Sequence, residues 1–368
     1  MKKILFICNT YYQLIVAMQI KSTLLKTDQV TVYLSDHSRN AKKIVDNLNK
    51  EKFFWNVQFI ETKNIDYCKG KIFKGIKDLF KAVTGNIKIF KNLSDNNIYD
   101  EIFYFNISIT LITLFNYFYK KNANIVCSRY EEGILSYNIQ ENKIKDLSMR
   151  VKCIYFLNKI LGKKYIFKSS NKFYCFNPEI YTGVLETIKI PFIELNNSKI
   201  KGLLNNIFEV NEMILDYKQK YIYFEGVGDF DNKNQIGELK LVKDLANLIG
   251  KENLLIKKHP RDSTNVYENE GLIVDKSSSI PWEIIQLNYN FSEHIFLTAI
   301  SGSVLSINLI LDKKQRPVVY FLYPLCNISK NKKIKLITNQ LETLLLNNQL
   351  NNIYLEKDLN NITGEKRL

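Results

Sequence analysis

The sequence predicts an α/β protein built from two doubly wound units, each a parallel sheet wrapped by helices. Three observations carry that expectation. Short β-branched or aromatic runs alternate with amphipathic stretches, once from Ile4 to Cys127 and again from Tyr221 onward, and such alternation calls for parallel strands joined by crossover helices. The 368 residues suit two domains at the usual ~100–200 residues apiece. With 46% apolar and 24% charged residues, 14 Gly and 6 Pro, the composition is globular and excludes a collagen-like or disordered chain.

The elements follow in order. Ile4–Cys8 is a strand, and Tyr12–Leu25 has apolar residues at helical spacing. Val30–Leu34 is the next strand and Ala41–Asn49 the next helix. Val57–Ile60, Glu101–Phe105 and Asn124–Cys127 are further strands, with helices at Ile72–Phe90 and Ile109–Tyr119 between them. The pattern loosens from Phe167 to Ser198, where Phe173–Phe176 and Ile188–Phe192 read as strands and Pro178 and Pro191 as breakers. Ile200–Leu215 reads as a connecting helix. The second series runs through strands Tyr221–Phe224, Leu254–Ile256, Leu272–Val274, Ile295–Ala299 and Val318–Phe321. Its helices are Gln235–Ile249, one from Pro281, one after Gly302 and one from about Lys335. The expected boundaries are a first domain over 1–195, a linker over 196–218 and a second domain over 219–368. Two such units imply a cleft between them, and ligands of open α/β sheets sit beyond the carboxyl ends of strands.

Lys and Arg number 52 against 37 Asp and Glu, a formal charge of +15. An excess of that size suggests an anionic partner: nucleic acid, an acidic membrane, or a phosphorylated or carboxylated substrate. The lysines are dispersed and no RNP, helix-turn-helix or zinc-finger motif is evident, which argues against nucleic acid. No apolar run reaches the ~18 residues of a spanning helix. The apolar run at Ile4–Cys8 is too short for a signal peptide and lacks a cleavage pattern. The six cysteines are scattered, with no CxxC and no Cys/His cluster, so reduced thiols in the cytosol are expected, and neither a disulfide framework nor a zinc site. No metal site is expected.

Strand-to-helix loops hold the chemistry candidates. His259 lies in Lys257-Lys258-His259-Pro260-Arg261 at a strand end, where Pro260 stops an immediate helix. Cationic neighbours there would attract a phosphate, and the imidazole could protonate a leaving oxygen; a solvated basic loop is the plainer alternative. Glu225-Gly226-Val227-Gly228-Asp229 follows the first strand of the second series. Its glycines permit tight turning and close ligand approach, and it is not a dinucleotide fingerprint. A carboxylate here could serve as general base, or the loop is a plain Gly/Asp turn. Ser301-Gly302-Ser303 precedes a helix, as an anion site or as simple capping. Glu131-Glu132-Gly133 follows a strand of the first series, as a substrate-orienting acidic pair or a solvated turn. Glu283, just after Pro281, either complements a helix dipole or accepts hydrogen bonds from ribose hydroxyls.

Taken in this order, the loops resemble the bacterial sialyltransferases of glycosyltransferase family 52 and the related capsular polysialyltransferases. The residues that carry the resemblance are Cys8-Asn9-Thr10-Tyr11-Tyr12-Gln13-Leu14, Glu131-Glu132-Gly133, Gly226-Val227-Gly228-Asp229, His259-Pro260-Arg261 and Ser301-Gly302. The resemblance implies a GT-B architecture, with an acceptor-side first domain and a second domain that binds the nucleotide sugar. It implies inverting, metal-independent transfer of sialic acid from CMP-sialic acid to a galactose-type glycan acceptor of a capsule or lipooligosaccharide. His259 then matches the histidine that assists departure of CMP, and Asp229 the general base. In the polysialyltransferases the base falls instead on the acidic pair, here Glu131 and Glu132. The expected donor-binding set is Asn9, Gly226, Pro260, Arg261, Glu283, Ser301, Gly302 and Ser303.

The chemistry agrees with those residues. The donor carries a carboxylate at its anomeric carbon and leaves behind a phosphate monoester, so a basic site with a helix N-terminus stabilises both donor and transition state. The alternatives are a GT-B glycosyltransferase using a UDP-hexose and a non-catalytic capsule-assembly scaffold. The expected location is cytoplasmic, with peripheral contact to the anionic inner face of the plasma membrane on account of the +15 charge.

Overall fold

Thirteen parallel strands in two sheets organise the described part of the computed structural model. It describes residues 1–66, 72–91, 93–138, 148–161, 170–194, 197–210, 217–226, 236–259, 262–277, 280–311, 316–327, 338–339, 341–343, 345 and 352–363. Two compact units emerge. One comprises residues 1–132, 136–191 and 206–208, the other residues 133–135, 192–205 and 209–368.

In the first unit the strands are β1 (Lys3–Cys8), β2 (Gln29–Ser35), β3 (Asn56–Ile60), β4 (Glu101–Tyr104), β5 (Val126–Tyr130), β6 (Ser170–Cys175) and β7 (Glu186–Lys189). Their order across the sheet is β3-β2-β1-β4-β5-β6-β7. The order reverses between β1 and β4, the switch point where open α/β sheets bind ligands. β1 and β4 are buried on both faces, as sheets covered by crossover helices require. One core layer joins Leu5, Ile7, Ile102 and Tyr104 of the sheet to Leu111, Phe115 and Phe118 of the helix Ile109–Tyr119.

The second unit repeats the plan with β8 (Tyr221–Phe224), β9 (Leu254–Lys257), β10 (Ile273–Val274), β11 (Ile295–Thr298), β12 (Val318–Phe321) and β13 (Ile353–Leu355). Their order is β10-β9-β8-β11-β12-β13, reversing between β8 and β11. Tyr223, Ile256 and Leu297 pack on Leu241 and Leu245 of the helix Glu238–Ile249.

Several details differ from the sequence expectation, among them the strand expected at Ile188–Phe192, which is Glu186–Lys189. β5 begins at Val126 and runs to Tyr130, because pairing between β4 and β6 holds Ser128, Arg129 and Tyr130 in the ladder. Ser128, Arg129 and Tyr130, beyond the expected strand end at Cys127, are therefore strand. The helix expected over 72–90 ends at Thr84. There Gly85 turns left-handed (φ 61°), and a Cβ would lie 2.5 Å from the backbone nitrogen of Tyr117. The connecting helix spans Ser198–Phe208, and Glu209 leaves it with φ 53°. Most of the helix expected from Lys335 lies outside the described residues, and β13 was not foreseen. No described helix is long and apolar enough to cross a membrane.

Candidate active site

The carboxyl edge of the first sheet is built around a buried acid. Thr10 caps the helix Tyr11–Thr23 through a capping box: its hydroxyl accepts from the Gln13 N–H at 3.2 Å, and the Gln13 side chain accepts from the Thr10 N–H at 3.3 Å. The same Gln13 oxygen accepts the Asn9 N–H at 2.5 Å, so the β1 loop is fixed from within. Helix and loop place Tyr12 next to Glu131, which is fully buried at the end of β5. Tyr12 donates its hydroxyl to Glu131 Oε1 at 2.5 Å. Tyr137 donates its hydroxyl to Oε2, and so does the Phe176 N–H, at 3.0 Å. Burial raises the Glu131 carboxyl to about 7 against the pull of these three donors.

Glu132, the next residue, behaves differently. It retains an exposed surface while crowding by surrounding protein pushes its carboxyl to about 7, opposed by the Arg129 charge and the Gln13 side chain. Its own N–H is held by Ser136 Oγ at 2.8 Å. Arg129 lies fully buried beneath, donating Nε–H to the Phe105 carbonyl at 3.2 Å and stacking on Phe173 at 5.0 Å.

In the second unit the switch point also rests on buried acids. Glu225, which directly follows β8, accepts the His259 backbone N–H at 2.6 Å and the Tyr267 hydroxyl at 3.2 Å. Glu238, in the first turn of its helix, accepts the Gly226 N–H at 2.8 Å and the Tyr223 hydroxyl at 2.9 Å. One acid thus positions the backbone of the histidine loop and the other that of the glycine loop. Gly226 sits against the β11 loop, where a Cβ would come within 2.7 Å of Ile300 Cγ2 and 3.3 Å of the Ile300 nitrogen. Glycine is required here by close approach.

The serine loop is shaped by Thr298. Its Oγ1 accepts the N–H groups of Ile300 (3.1 Å) and Ser301 (2.7 Å) while donating to the Phe224 carbonyl at 2.8 Å. Those two amides are therefore spent inside the loop. The hydroxyls of Ser301 and Ser303 lie 2.7 Å apart at the start of the helix Ser303–Ile310, beside exposed Gly302. Of the basic residues before His259, Lys257 pairs with Asp275 at 2.5 Å and faces the Trp282 ring at 5.5 Å. Lys258 pairs with Glu268 at 3.2 Å. Both charges are locally compensated. Glu283 stands in the first turn of Trp282–Asn288. Burial raises its carboxyl, while its own N–H, Ser306 and Lys257 oppose the rise.

Asn9, Glu131 and Glu132 therefore stand along the carboxyl edge of the first sheet, and Gly226, His259, Ser301, Gly302 and Ser303 on that of the second. Asp229, Pro260 and Arg261 lie outside the described residues. The sequence motifs include Tyr12, Gln13 and Glu225 but assign them no anchoring role, and the anchors Tyr137, Glu238, Tyr267 and Thr298 fall outside every motif. The available signal was a carboxylate or threonine at the last position of a buried strand or the first beyond it, as at Glu225 and Thr298. Among the described residues no group of three or more His, Cys, Asp or Glu is placed to hold a metal ion.

The family model for alpha-2,8-polysialyltransferases (POLYST) matches residues 4–293. The chain belongs to that family. It is thus a glycosyltransferase of the sialyltransferase group. No curated protein sequence matches it. Among solved structures, the polysialyltransferase-family chain is similar to the α/β-galactoside α-2,3-sialyltransferase of Photobacterium phosphoreum, with 11% identity, 98% of each chain covered and a TM-score of 0.50. It also resembles the UDP-GlcNAc 2-epimerase of Methanocaldococcus jannaschii (12% identity, 92% of each chain, TM-score 0.46). MurG of Acinetobacter baumannii matches at 10% identity over 99% of this chain and 90% of that one, with a TM-score of 0.44. The fold of this polysialyltransferase-family protein is GT-B.

Proposed function

We propose that this chain transfers sialic acid from CMP-sialic acid to the terminal galactose of a capsular or lipooligosaccharide glycan, in the cytoplasm, with inversion and without a metal. The observation that carries the reading is the family match across residues 4–293, joined to a carboxyl pair whose affinity for protons suits base catalysis near neutral pH. In this reading Glu132 is the general base. Glu131 has both oxygens taken by Tyr12, Tyr137 and Phe176, whereas Glu132 keeps an exposed surface. Glu132 takes the proton of the acceptor hydroxyl as that oxygen bonds to the anomeric carbon. The bond from that carbon to the CMP phosphate breaks, and His259 donates a proton to the departing phosphate. Glu283 accepts from the ribose, and the Ser301 and Ser303 hydroxyls meet the phosphate. Asp229 is the competing base. A second acceptor, a sialic acid extended in α-2,8 linkage, is supported by the family's description.

The test incubates the purified protein with CMP-sialic acid and a panel of galactosides and sialosides in excess EDTA, followed by linkage analysis. A sialylated product is expected. Glu132→Gln and His259→Ala should each lower turnover by ~10²–10⁴-fold, with CMP binding largely kept. Turnover of UDP-hexoses alone would replace the donor. Normal rates in Glu132→Gln with a severe loss in Asp229→Asn would move the base to Asp229.

A further inference from the structure

The helix Met149–Ile160 is amphipathic in an unusual sense, for it is apolar on both sides. Val151 and Ile154 point into the first unit. The opposite face repeats Met149, Cys153, Phe156 and Ile160, a helical i, i+4, i+7, i+11 stripe. That stripe is open to solvent: Met149 is 72% exposed, Phe156 62% and Ile160 64%, with Leu157 and Leu161 exposed alongside. The adjoining helix Ile72–Thr84, which packs against it, adds Phe80 at 68% exposure. Single exposed apolar residues are ordinary, whereas a concentrated set marks an interaction surface.

Charge identifies the occupant. Over the described residues 148–161 the sequence carries Arg150, Lys152 and Lys159 and no acidic residue. On Ile72–Thr84 the acid Asp78 is buried, while Lys77 is exposed. A second copy of this chain would set these cations against themselves. A soluble anionic glycan would pair with the cations and gain nothing from Phe156, Ile160 and Leu161. An anionic bilayer answers both features, since acyl chains take up the apolar stripe and headgroups face the lysines.

We propose that the solvent face of Met149–Ile160 is a membrane-docking surface that inserts Phe156 and Ile160 into the interface of an anionic lipid bilayer. The claim is independent of the transfer reading, because vesicle binding registers it with no sugar present.

The experiment is flotation of the full chain with phosphatidylglycerol/phosphatidylcholine vesicles and with phosphatidylcholine alone. Binding to the anionic vesicles is expected, weakened by salt. The double variant Phe156→Gln, Ile160→Gln should partition about tenfold less or worse, with unchanged circular dichroism, since both side chains are already in water. In a Trp55→Phe background, Phe156→Trp should shift its emission to the blue on vesicles and be quenched by brominated lipid. Wild-type failure to float, wild-type partitioning by the double variant, or no quenching each overturns the proposal. So does a wild-type dimer in sedimentation that the double variant dissolves, which assigns the face to a second copy. Loss of binding to a soluble anionic polysaccharide, with vesicle binding intact, assigns it to a glycan.

Discussion

Each sheet of this protein ends on buried glutamates, and the two sheets use them differently. In the first unit Glu131 gathers two tyrosine hydroxyls and one N–H, so it organises side chains around its accessible neighbour Glu132. In the second, Glu225 and Glu238 each accept one backbone N–H and one tyrosine hydroxyl. They hold loop backbone, at His259 and at Gly226. The contrast teaches that one residue type serves two design needs. Glu131 holds two tyrosine side chains from remote segments at the sheet edge. An acid that anchors a loop turns an oxygen to backbone N–H groups, as Glu225 does at His259 and Glu238 at Gly226.

The contrast can be broken most severely at Glu225. Glu225→Ala takes the carboxylate from the His259 N–H and the Tyr267 hydroxyl and should cost about 2–4 kcal/mol in chemical denaturation. Turnover should fall with it while KM for acceptor stays near wild type, and Glu225→Gln should restore part of the rate. Equal rates in Glu225→Ala and wild type would show that the carboxylate does not position the histidine loop.

Next in size is the pH dependence set by Glu131. Its carboxyl sits at about 7 in the fold against 4.5 unperturbed. The folded state binds that proton more tightly than the unfolded one. The contribution is therefore complete below about pH 4.5 and is lost as pH rises through 7. The loss amounts to about 3 kcal/mol. Glu131→Gln should remove this share of the slope between pH 5 and 8, measured by urea titration, and leave the share of Glu132, whose carboxyl also sits at about 7. A variant curve parallel to wild type would contradict the assignment.

The smallest effect is expected at Gly226. Gly226→Ala forces a Cβ into Ile300 at 2.7 Å, for a cost of about 1–3 kcal/mol. Displacing the Ile300–Ser301 segment should weaken CMP binding in calorimetry more than it slows turnover at saturation. Unchanged CMP affinity would separate the glycine loop from the donor.

Much of the fold was legible in the sequence. The helix Ile109–Tyr119 and the strands Tyr221–Phe224 and Val318–Phe321 fall where periodicity put them, since long apolar periods and β-branched runs have few ways to be buried. The likeness to polysialyltransferases that the motif loops carry matches the family found for residues 4–293. Boundaries set by pairing were not legible. β5 extends to Tyr130 because β4 and β6 flank it, and β13 is a strand because β12 offers an edge.

What the sequence determined by itself is the alternation, the two doubly wound halves and the position of each acidic, histidine and serine loop, all encoded within a few residues. Tertiary structure alone decided the roles inside those loops. Glu131 and Glu132 are identical neighbours in sequence. Only the arrival of Tyr12 from 119 residues away and of Phe176 from 45 makes one a buried anchor and leaves the other open to solvent. A carboxylate's burial and hydrogen-bond partners are set by chain segments remote in sequence, and no local pattern records them.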